Sequence, residues 1–160
     1  MKAVIQRVKN ASVKVEGKVS GSIAWGILVY LGVAAEDTEK DAEWMAEKAA
    51  NLRIFIDAEG KMNLSLLDLM AQGGNGGCYG EGCGGVLAVS QFTLLADARK
   101  GRRPFYGNAA APEKAKALYE CFMEKIRERR LVCEAGVFQA RMEVSYTNDG
   151  PVTILLDSAE

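Results

Sequence analysis

Short apolar stretches with strand-like patterns dominate this chain, and only two stretches show the periodicity of an amphipathic helix. The first, 38–51, begins at Thr38, a residue type suited to cap a helix, and repeats apolar residues at spacings of three and four. The second, 112–130, begins with Pro112 in its first turn and ends in basic residues. Two helices among many strands predict an α+β fold made mainly of antiparallel sheet.

Strands are predicted where apolar and polar residues alternate or where apolar residues form a short run. Gly17 separates two such stretches and predicts the turn of a hairpin. Gly26 and Gly32 lie inside a long apolar stretch and predict bulges or close backbone approaches in one buried strand. The stretch 64–69 fits either a strand or a short helical turn. Besides the stretch that starts at residue 86, the predicted strands are 2–8, 11–16, 18–20, 23–33, 53–57, 131–136, 140–146 and 152–156.

The chain of 160 residues has the length of one domain, and we find no linker or repeat within residues 1–160. Its 49% apolar and 26% charged residues predict a soluble globular protein, and no apolar run reaches the length of a membrane span. The sequence starts directly with a strand pattern and shows no secretory signal, so a cytoplasmic location is expected. A net charge of −1 argues against a broad nucleic-acid-binding surface, and neither DNA nor a membrane is an expected partner.

The absence of histidine is the strongest constraint on chemistry. It excludes every general base, catalytic triad and metal site that depends on an imidazole ring. A hydrolase of this composition must therefore rely on backbone oxyanion stabilisation, on positioning, or on help from its substrate. No metal or other cofactor is expected.

A glycine-rich segment at about 71–85 contains eight glycines among fifteen residues, together with Cys78 and Cys83. Glycine at this density loses too much conformational entropy to form a regular element, so the segment is predicted to be a surface loop inserted into the domain. The alternative is half of a metal or redox site, which would also require Cys121 and Cys133 to reach the same place. The loop is the preferred interpretation, and the cysteines are expected as free thiols.

Polar residues follow the apolar stretch 86–89, where Ser90, Gln91 and Thr93 come in close succession. Such groups must find hydrogen-bond partners or line a cavity, and they can converge on one pocket only if the strand ends near Ser90. The alternative is an ordinary polar strand end. Near the C-terminus, residues 148–151 read Asn-Asp-Gly-Pro and predict a turn before the last strand.

The segments VSQFTLLAD and TNDGPVTILLD closely resemble the two signature motifs of the D-aminoacyl-tRNA deacylases. AVIQRV, NLRIFIDAEGKMNLSLLD and ADARKGRRP also resemble that family, so the resemblance covers the chain apart from the glycine-rich segment. It implies a barrel-like fold with the two helices packed outside. It also implies a homodimeric enzyme that hydrolyses the ester of D-aminoacyl-tRNA, as a proofreading step in translation.

The resemblance further implies that Ser90, Gln91, Phe92 and Thr93 line the site of the terminal adenosine and its ester. Backbone N–H groups around Phe92 and Thr93 are the expected oxyanion donors. Thr93 is either a nucleophile or a residue that shapes the pocket, and the second role is favoured because no histidine activates its hydroxyl. The substrate's own 2′-hydroxyl is then expected to assist the attack.

In the resembled family, the dipeptide that matches Gly150–Pro151 is cis and reaches into the pocket of the other subunit. Its carbonyl groups would exclude an L-side chain while a D-side chain points away, so that specificity comes from a clash with the wrong substrate. Glycine has no side chain to exclude, and glycyl-tRNA is therefore an expected second substrate. An ordinary trans turn is the alternative that the residues alone leave open.

The segment GVFQARM resembles a further family pattern, which implies that Phe138 stacks near the adenine and Met142 walls the pocket. Core packing is the alternative for both.

Arg7 is expected either to hold the Gly-Pro motif through its carbonyls or to form a salt bridge at the rim. A basic loop after the SQFT segment is expected to contact tRNA phosphates, or else to be merely solvated; its cations are Arg99, Lys100, Arg102 and Arg103.

Two other functions stay open at this stage. The lack of a conventional base is compatible with a non-catalytic module that binds the 3′ end of tRNA. A general hydrolase of small esters is the third candidate, although it lacks the expected pair of nucleophile and base.

Overall fold

The computed structural model describes residues 1–71 and 84–159. The strands are β1 (Lys2–Val15), β2 (Lys18–Ile23), β3 (Gly26–Gly32), β4 (Phe55–Ile56), β5 (Met62–Leu64), β6 (Gly85–Ser90), β7 (Cys133–Ala135) and β8 (Glu143–Asp157). The helices are α1 (Glu39–Asn51), α2 (Leu66–Ala71) and α3 (Pro112–Glu128), and a 3₁₀ turn spans Phe92–Leu95.

Strand β1 organises the main sheet, because it pairs antiparallel with β2, β3 and β8. Strands β6 and β7 extend the sheet in parallel beyond β3. The sheet curls until β2 approaches β7, where a Cβ on Gly21 would lie 2.5 Å from the carbonyl oxygen of Ala135. Only glycine permits that approach. The predicted barrel-like α+β fold is confirmed.

Two apolar clusters hold this arrangement together. Helices α1 and α3 cover one face of the sheet, where Ile5, Val29 and Phe122 belong to a single buried cluster. A smaller cluster, which includes Leu28 and Leu87, fills the other face of the same strands. Because side chains alternate along a strand, β1, β3 and β6 each contribute buried residues to both clusters.

The local predictions for the helices and for the hairpin turn at Gly17 agree well with the structure. Thr38 is the N-cap of α1, and its backbone N–H donates to the carboxylate of Asp41 over 2.8 Å. The hairpin between β1 and β2 turns at Gly17, whose φ of +76° favours glycine. The ambiguous stretch 64–69 mostly forms the helix α2, which Ser65 precedes with its hydroxyl 2.7 Å from Asp68 Oδ2.

Two predictions of strand boundaries were wrong. The predicted strands 2–8 and 11–16 are one continuous strand, β1. The stretch 23–33 is not one strand, because β2 ends at Ile23 and β3 begins at Gly26, whose absent Cβ would lie 2.0 Å from the carbonyl oxygen of Gly85. Gly26 thus marks a close backbone approach.

The predicted turn at 148–151 was also wrong, because β8 runs through it as one strand. The partner of Gln6 is Thr153 and the partner of Val8 is Asn148, so β8 advances five residues while β1 advances two. The excess residues, among them Gly150 and Pro151, form a bulge on β8. Proline is tolerated in a bulge because it has no N–H to donate to a ladder.

Most of the predicted glycine-rich insertion, including Cys78 and Cys83, lies outside the described residues. Its two ends do not: Ala71 is the last residue of α2, and Gly85 is the first residue of β6. Cys121 and Cys133 are free thiols, and burial raises the pKa of Cys133 to about 11.

Candidate active site

A cleft of about 700 Å³ opens where β6 ends, next to the first turn of α3 and the segment before β8. Five residues predicted from the sequence line it together: Ser90, Gln91, Phe92, Phe138 and Met142. Thr93 is exposed and does not line the cleft, and neither do Arg7, Gly150, Pro151 or the basic loop.

The position at which strand β6 ends allows Ser90 and Gln91 to face the same cleft. Ser90 is its last residue, and Gln91 then donates its backbone N–H to the carbonyl of Leu31 over 2.8 Å. The chain crosses Gly32 closely, since a Cβ there would lie 2.9 Å from the carbonyl oxygen of Gln91. The 3₁₀ turn begins at Phe92, and the first N–H groups of any such turn have no partner within it. The N–H groups of Phe92 and Thr93 can therefore serve as donors at the edge of the cleft.

Two tyrosines line the cleft although the sequence did not single them out. The hydroxyl of Tyr119 donates to the carbonyl of Ala88 over 2.8 Å, and burial raises its pKa. Burial, together with the nearby Tyr146, raises the pKa of Tyr30 to about 12. Both cleft tyrosines therefore stay neutral at pH 7. Tyr119 lies on the apolar stripe of α3, so helical spacing alone could not distinguish a core residue from a cleft residue.

Phe138 and Met142 are placed by their contacts with neighbouring elements. The ring of Phe138 lies 6.1 Å from that of Tyr119, centroid to centroid. The sulfur of Met142 packs over Gly136, where a Cβ would lie 2.4 Å from it. Gln139, which also lines the cleft, has a φ of +63°, a backbone conformation that residues other than glycine rarely adopt.

Arg7 links the bulge of β8 to the body of the protein. Its side chain is 6% exposed, its Nη1 donates to the carbonyl of Ile54, and its Nε lies 3.1 Å from Asp149 Oδ2 as an ion pair without hydrogen-bond alignment. A Cβ on Gly150 would lie 2.7 Å from Arg7 Nη2. Gly150 has a φ of +116°, and the Gly150–Pro151 peptide bond is cis. Arg7 thus reaches the motif through the neighbouring carboxylate, in an ion pair whose arginine is buried and whose aspartate is partly exposed.

A backbone bridge between Asp97 and Phe105 closes the basic loop, with N···O distances of 2.8 and 2.9 Å. Arg99 lies 2.6 Å from the carboxylate of Asp97, and its hydrogen bonds lower the pKa of that carboxyl to about 2. The remaining cations, Lys100, Arg102 and Arg103, are exposed and form no salt bridge within the described residues.

The family model for D-Tyr-tRNA(Tyr) deacylase matches residues 4–157, nearly the whole chain. The chain belongs to this family. The D-aminoacyl-tRNA deacylase of Kosmotoga olearia is 58% identical over 158 residues, which cover 99% of this chain and 97% of that protein. The D-aminoacyl-tRNA deacylase of Thermotoga petrophila is 52% identical over 160 residues, covering 100% of this chain and 99% of its own.

Two solved structures share the fold of this chain. The c-Myc DNA unwinding element binding protein superposes with a TM-score of 0.84 at 41% identity, and the match covers 98% of each chain. A probable eukaryotic D-amino acid tRNA deacylase gives a TM-score of 0.76 at 17% identity over 97% of each chain, which shows a shared fold. The family assignment made from sequence motifs is confirmed, and with it the deacylase function that the family implies.

Neither a metal site nor a membrane-spanning helix is found within residues 1–71 and 84–159. Within these ranges, no cluster of three or more acidic or cysteine side chains could hold a metal ion. No helix in them combines the length and hydropathy needed to span a membrane.

Proposed function

We propose that the protein hydrolyses the ester of D-aminoacyl-tRNA in the cytoplasm, and that the substrate's own 2′-hydroxyl assists the reaction. The observation that supports this mechanism is the chemistry of the cleft. Among the described residues that line it, none carries a carboxylate, an amine or a guanidinium group, and its two tyrosines have raised pKa values. A cleft without a general base suits a substrate that brings its own hydroxyl group.

The roles within the cleft follow from position. The terminal adenosine would lie against Phe138 and Met142, because these are apolar cleft residues beside the polar end of β6. The ester would then face the N–H groups of Phe92 and Thr93, which can stabilise the developing oxyanion. The 2′-hydroxyl, held beside the ester, would orient the attacking water.

Chiral selection would come from Gly150 and Pro151 of a second subunit. Ser90 pairs with Leu31 at the end of β3, whereas the bulge of β8 lies level with residues 26–28 of the same strand. The separation of three to five residues is roughly 10–17 Å along the strand direction. Because the motif and the cleft are apart within one chain, a two-fold dimer could bring the motif of one subunit to the cleft of the other.

One strongly exposed apolar residue on β8 supports such a dimer. Leu155 is 75% exposed and pairs with Val4 across the β1–β8 ladder. On the neighbouring strand β1, Gln6 Oε1 is buried without a hydrogen-bond partner in the described part of the chain. A partner subunit would cover the Leu155 side chain and could donate a hydrogen bond to Gln6 Oε1.

We expect Leu155→Glu to weaken dimerisation at least 10-fold and to reduce activity in parallel, because a charge buried in an apolar interface is strongly disfavoured. Sedimentation velocity over a range of concentrations measures the effect. Met62→Glu is the matched control, because it places the same charge on an exposed strand residue outside the main sheet. A fully active Leu155→Glu monomer would contradict the shared site.

The basic loop is proposed to hold phosphates of the tRNA substrate. Arg99 is largely neutralised by Asp97, so Lys100, Arg102 and Arg103 would carry most of the effect. Contacts with so few phosphates fit a protein whose net charge is −1.

A deacylation assay with D-tyrosyl-tRNA and L-tyrosyl-tRNA tests the proposal directly. We expect release of D-tyrosine at catalytic enzyme concentrations, while L-tyrosyl-tRNA stays charged over the same period. Glycyl-tRNA should be hydrolysed, because it presents no side chain to exclude. Binding of both tyrosyl-tRNAs without hydrolysis would indicate a tRNA-end binding module. Equal hydrolysis of the two tyrosyl-tRNAs, together with hydrolysis of simple esters, would indicate a general esterase.

A further inference from the structure

Three exposed aromatic residues lie at and after the end of the SQFT segment. Phe92 is 57% exposed, Phe105 63% and Tyr106 40%. The rings of Phe92 and Tyr106 form an edge-to-face pair, with centroids 5.2 Å apart and an interplanar angle of 64°. We call these three residues the aromatic patch. Large apolar side chains exposed next to one another commonly mark a binding surface.

The patch is held by its own backbone. Phe105 exchanges both backbone hydrogen bonds with Asp97, and Ala109 N donates to the carbonyl of Tyr106 over 3.1 Å. The ring of Phe105 lies over Gly107, where a Cβ would be 2.1 Å from its Cζ atom. Rings fixed in this way can bind a flat partner with little further loss of conformational entropy.

Charge and position indicate what the patch binds. The loop that carries Phe105 and Tyr106 also carries Lys100, Arg102 and Arg103, which suits a polyanion. Phe92 belongs to the patch and lines the cleft as well, so the two surfaces are continuous. Aromatic rings beside cations are the usual means of binding single-stranded nucleic acid, in which bases stack on rings and phosphates meet cations.

We propose that the aromatic patch stacks the unpaired nucleotides that precede the terminal adenosine of the tRNA. This inference rests on the proposed function, since it assumes that the terminal adenosine occupies the cleft. It adds a second element of recognition, which acts on the single-stranded 3′ end and does not contact the ester. The patch would thereby raise the affinity for tRNA relative to that for a small aminoacyl ester of adenosine.

The test compares two substrates, D-tyrosyl-tRNA and the isolated ester D-tyrosyl-adenosine. Tyr106→Ala should raise the KM for D-tyrosyl-tRNA about 10-fold, as expected for the loss of one stacking partner, with kcat nearly unchanged. The same variant should hydrolyse D-tyrosyl-adenosine at the wild-type kcat/KM, because Tyr106 does not line the cleft. Tyr106→Phe retains the ring and should behave as wild type with both substrates.

Salt dependence separates stacking from charge. Arg102→Gln should reduce the slope of log KM against log salt concentration for D-tyrosyl-tRNA, whereas Tyr106→Ala should leave the slope unchanged. Equal losses on both substrates, or no loss on D-tyrosyl-tRNA, would overturn the assignment. A shift of Tyr106→Ala to a smaller species in sedimentation would assign the patch to subunit contact and overturn it as well. If the wild-type protein hydrolyses neither substrate, the proposed function itself fails.

Discussion

We expect D-tyrosyl-tRNA that carries hydrogen in place of the terminal 2′-hydroxyl to be hydrolysed about 1000-fold more slowly than the normal substrate. The cleft lacks a carboxylate, an amine or a guanidinium among its described lining residues, and the chain contains no histidine. The 2′-hydroxyl would be the nearest group able to orient a water or share its proton. Its removal would cost about 4 kcal/mol of transition-state stabilisation. Single-turnover rates at saturating enzyme measure this loss without interference from binding.

The loss caused by Thr93→Ala should be compared with the loss caused by the deoxy substrate. Thr93 is exposed beside the cleft, and its backbone N–H survives the substitution. We therefore expect a loss of only 10- to 100-fold, about 1.4–2.8 kcal/mol, from a small shift of the 3₁₀ turn that carries the proposed oxyanion donors. An acyl-enzyme trapped at Thr93, or a deoxy substrate cleaved at the normal rate, would rule out assistance by the substrate.

The helices could be predicted from the sequence because their determinants are local. Thr38 and the apolar residues spaced along α1 lie within a few turns of one another, and Pro112 marks the start of α3 directly. Strand β8 depends on a partner more than a hundred residues away, since Thr153 pairs with Gln6. No local pattern shows that β1 pairs with β8 on both sides of the bulge, and residues 148–151 by themselves therefore predict a turn.

Some residues of the candidate site can likewise be predicted from local sequence, whereas others depend on the tertiary fold. Ser90, Gln91 and Phe92 follow a buried strand directly, so their place at a strand end could be predicted. Tyr30 and Tyr119 could not, because a tyrosine in a strand or on a helix stripe usually packs in the core. They reach the cleft only because β3 lies beside β6 and α3 covers that end of the sheet. Contacts of this kind depend on the tertiary fold.

Gly150→Ala should reduce kcat/KM for D-tyrosyl-tRNA about 100-fold and should weaken the preference for D- over L-tyrosyl-tRNA. Two features of Gly150 underlie this expectation. Its φ of +116° is strained for any residue with a Cβ, at a cost of roughly 1–3 kcal/mol. The new Cβ would also lie 2.7 Å from Arg7 Nη2, a group held between Asp149 and Ile54 that cannot retreat easily. The bulge that is proposed to face the substrate would therefore shift.

Gly60→Ala separates these two effects. Gly60 also has a positive φ, +79°, yet nothing lies within 4 Å of the position that a Cβ would take. Both variants should lose stability on thermal unfolding because both strain the backbone, and Gly150→Ala should lose more because its methyl group also meets Arg7. Only Gly150→Ala should lose activity and stereoselectivity, because only there does the methyl group displace Arg7. If Gly60→Ala lost as much activity, the effect would be one of general stability. If Gly150→Ala kept the wild-type ratio of D- to L-hydrolysis, the bulge of β8 would have no part in chiral selection.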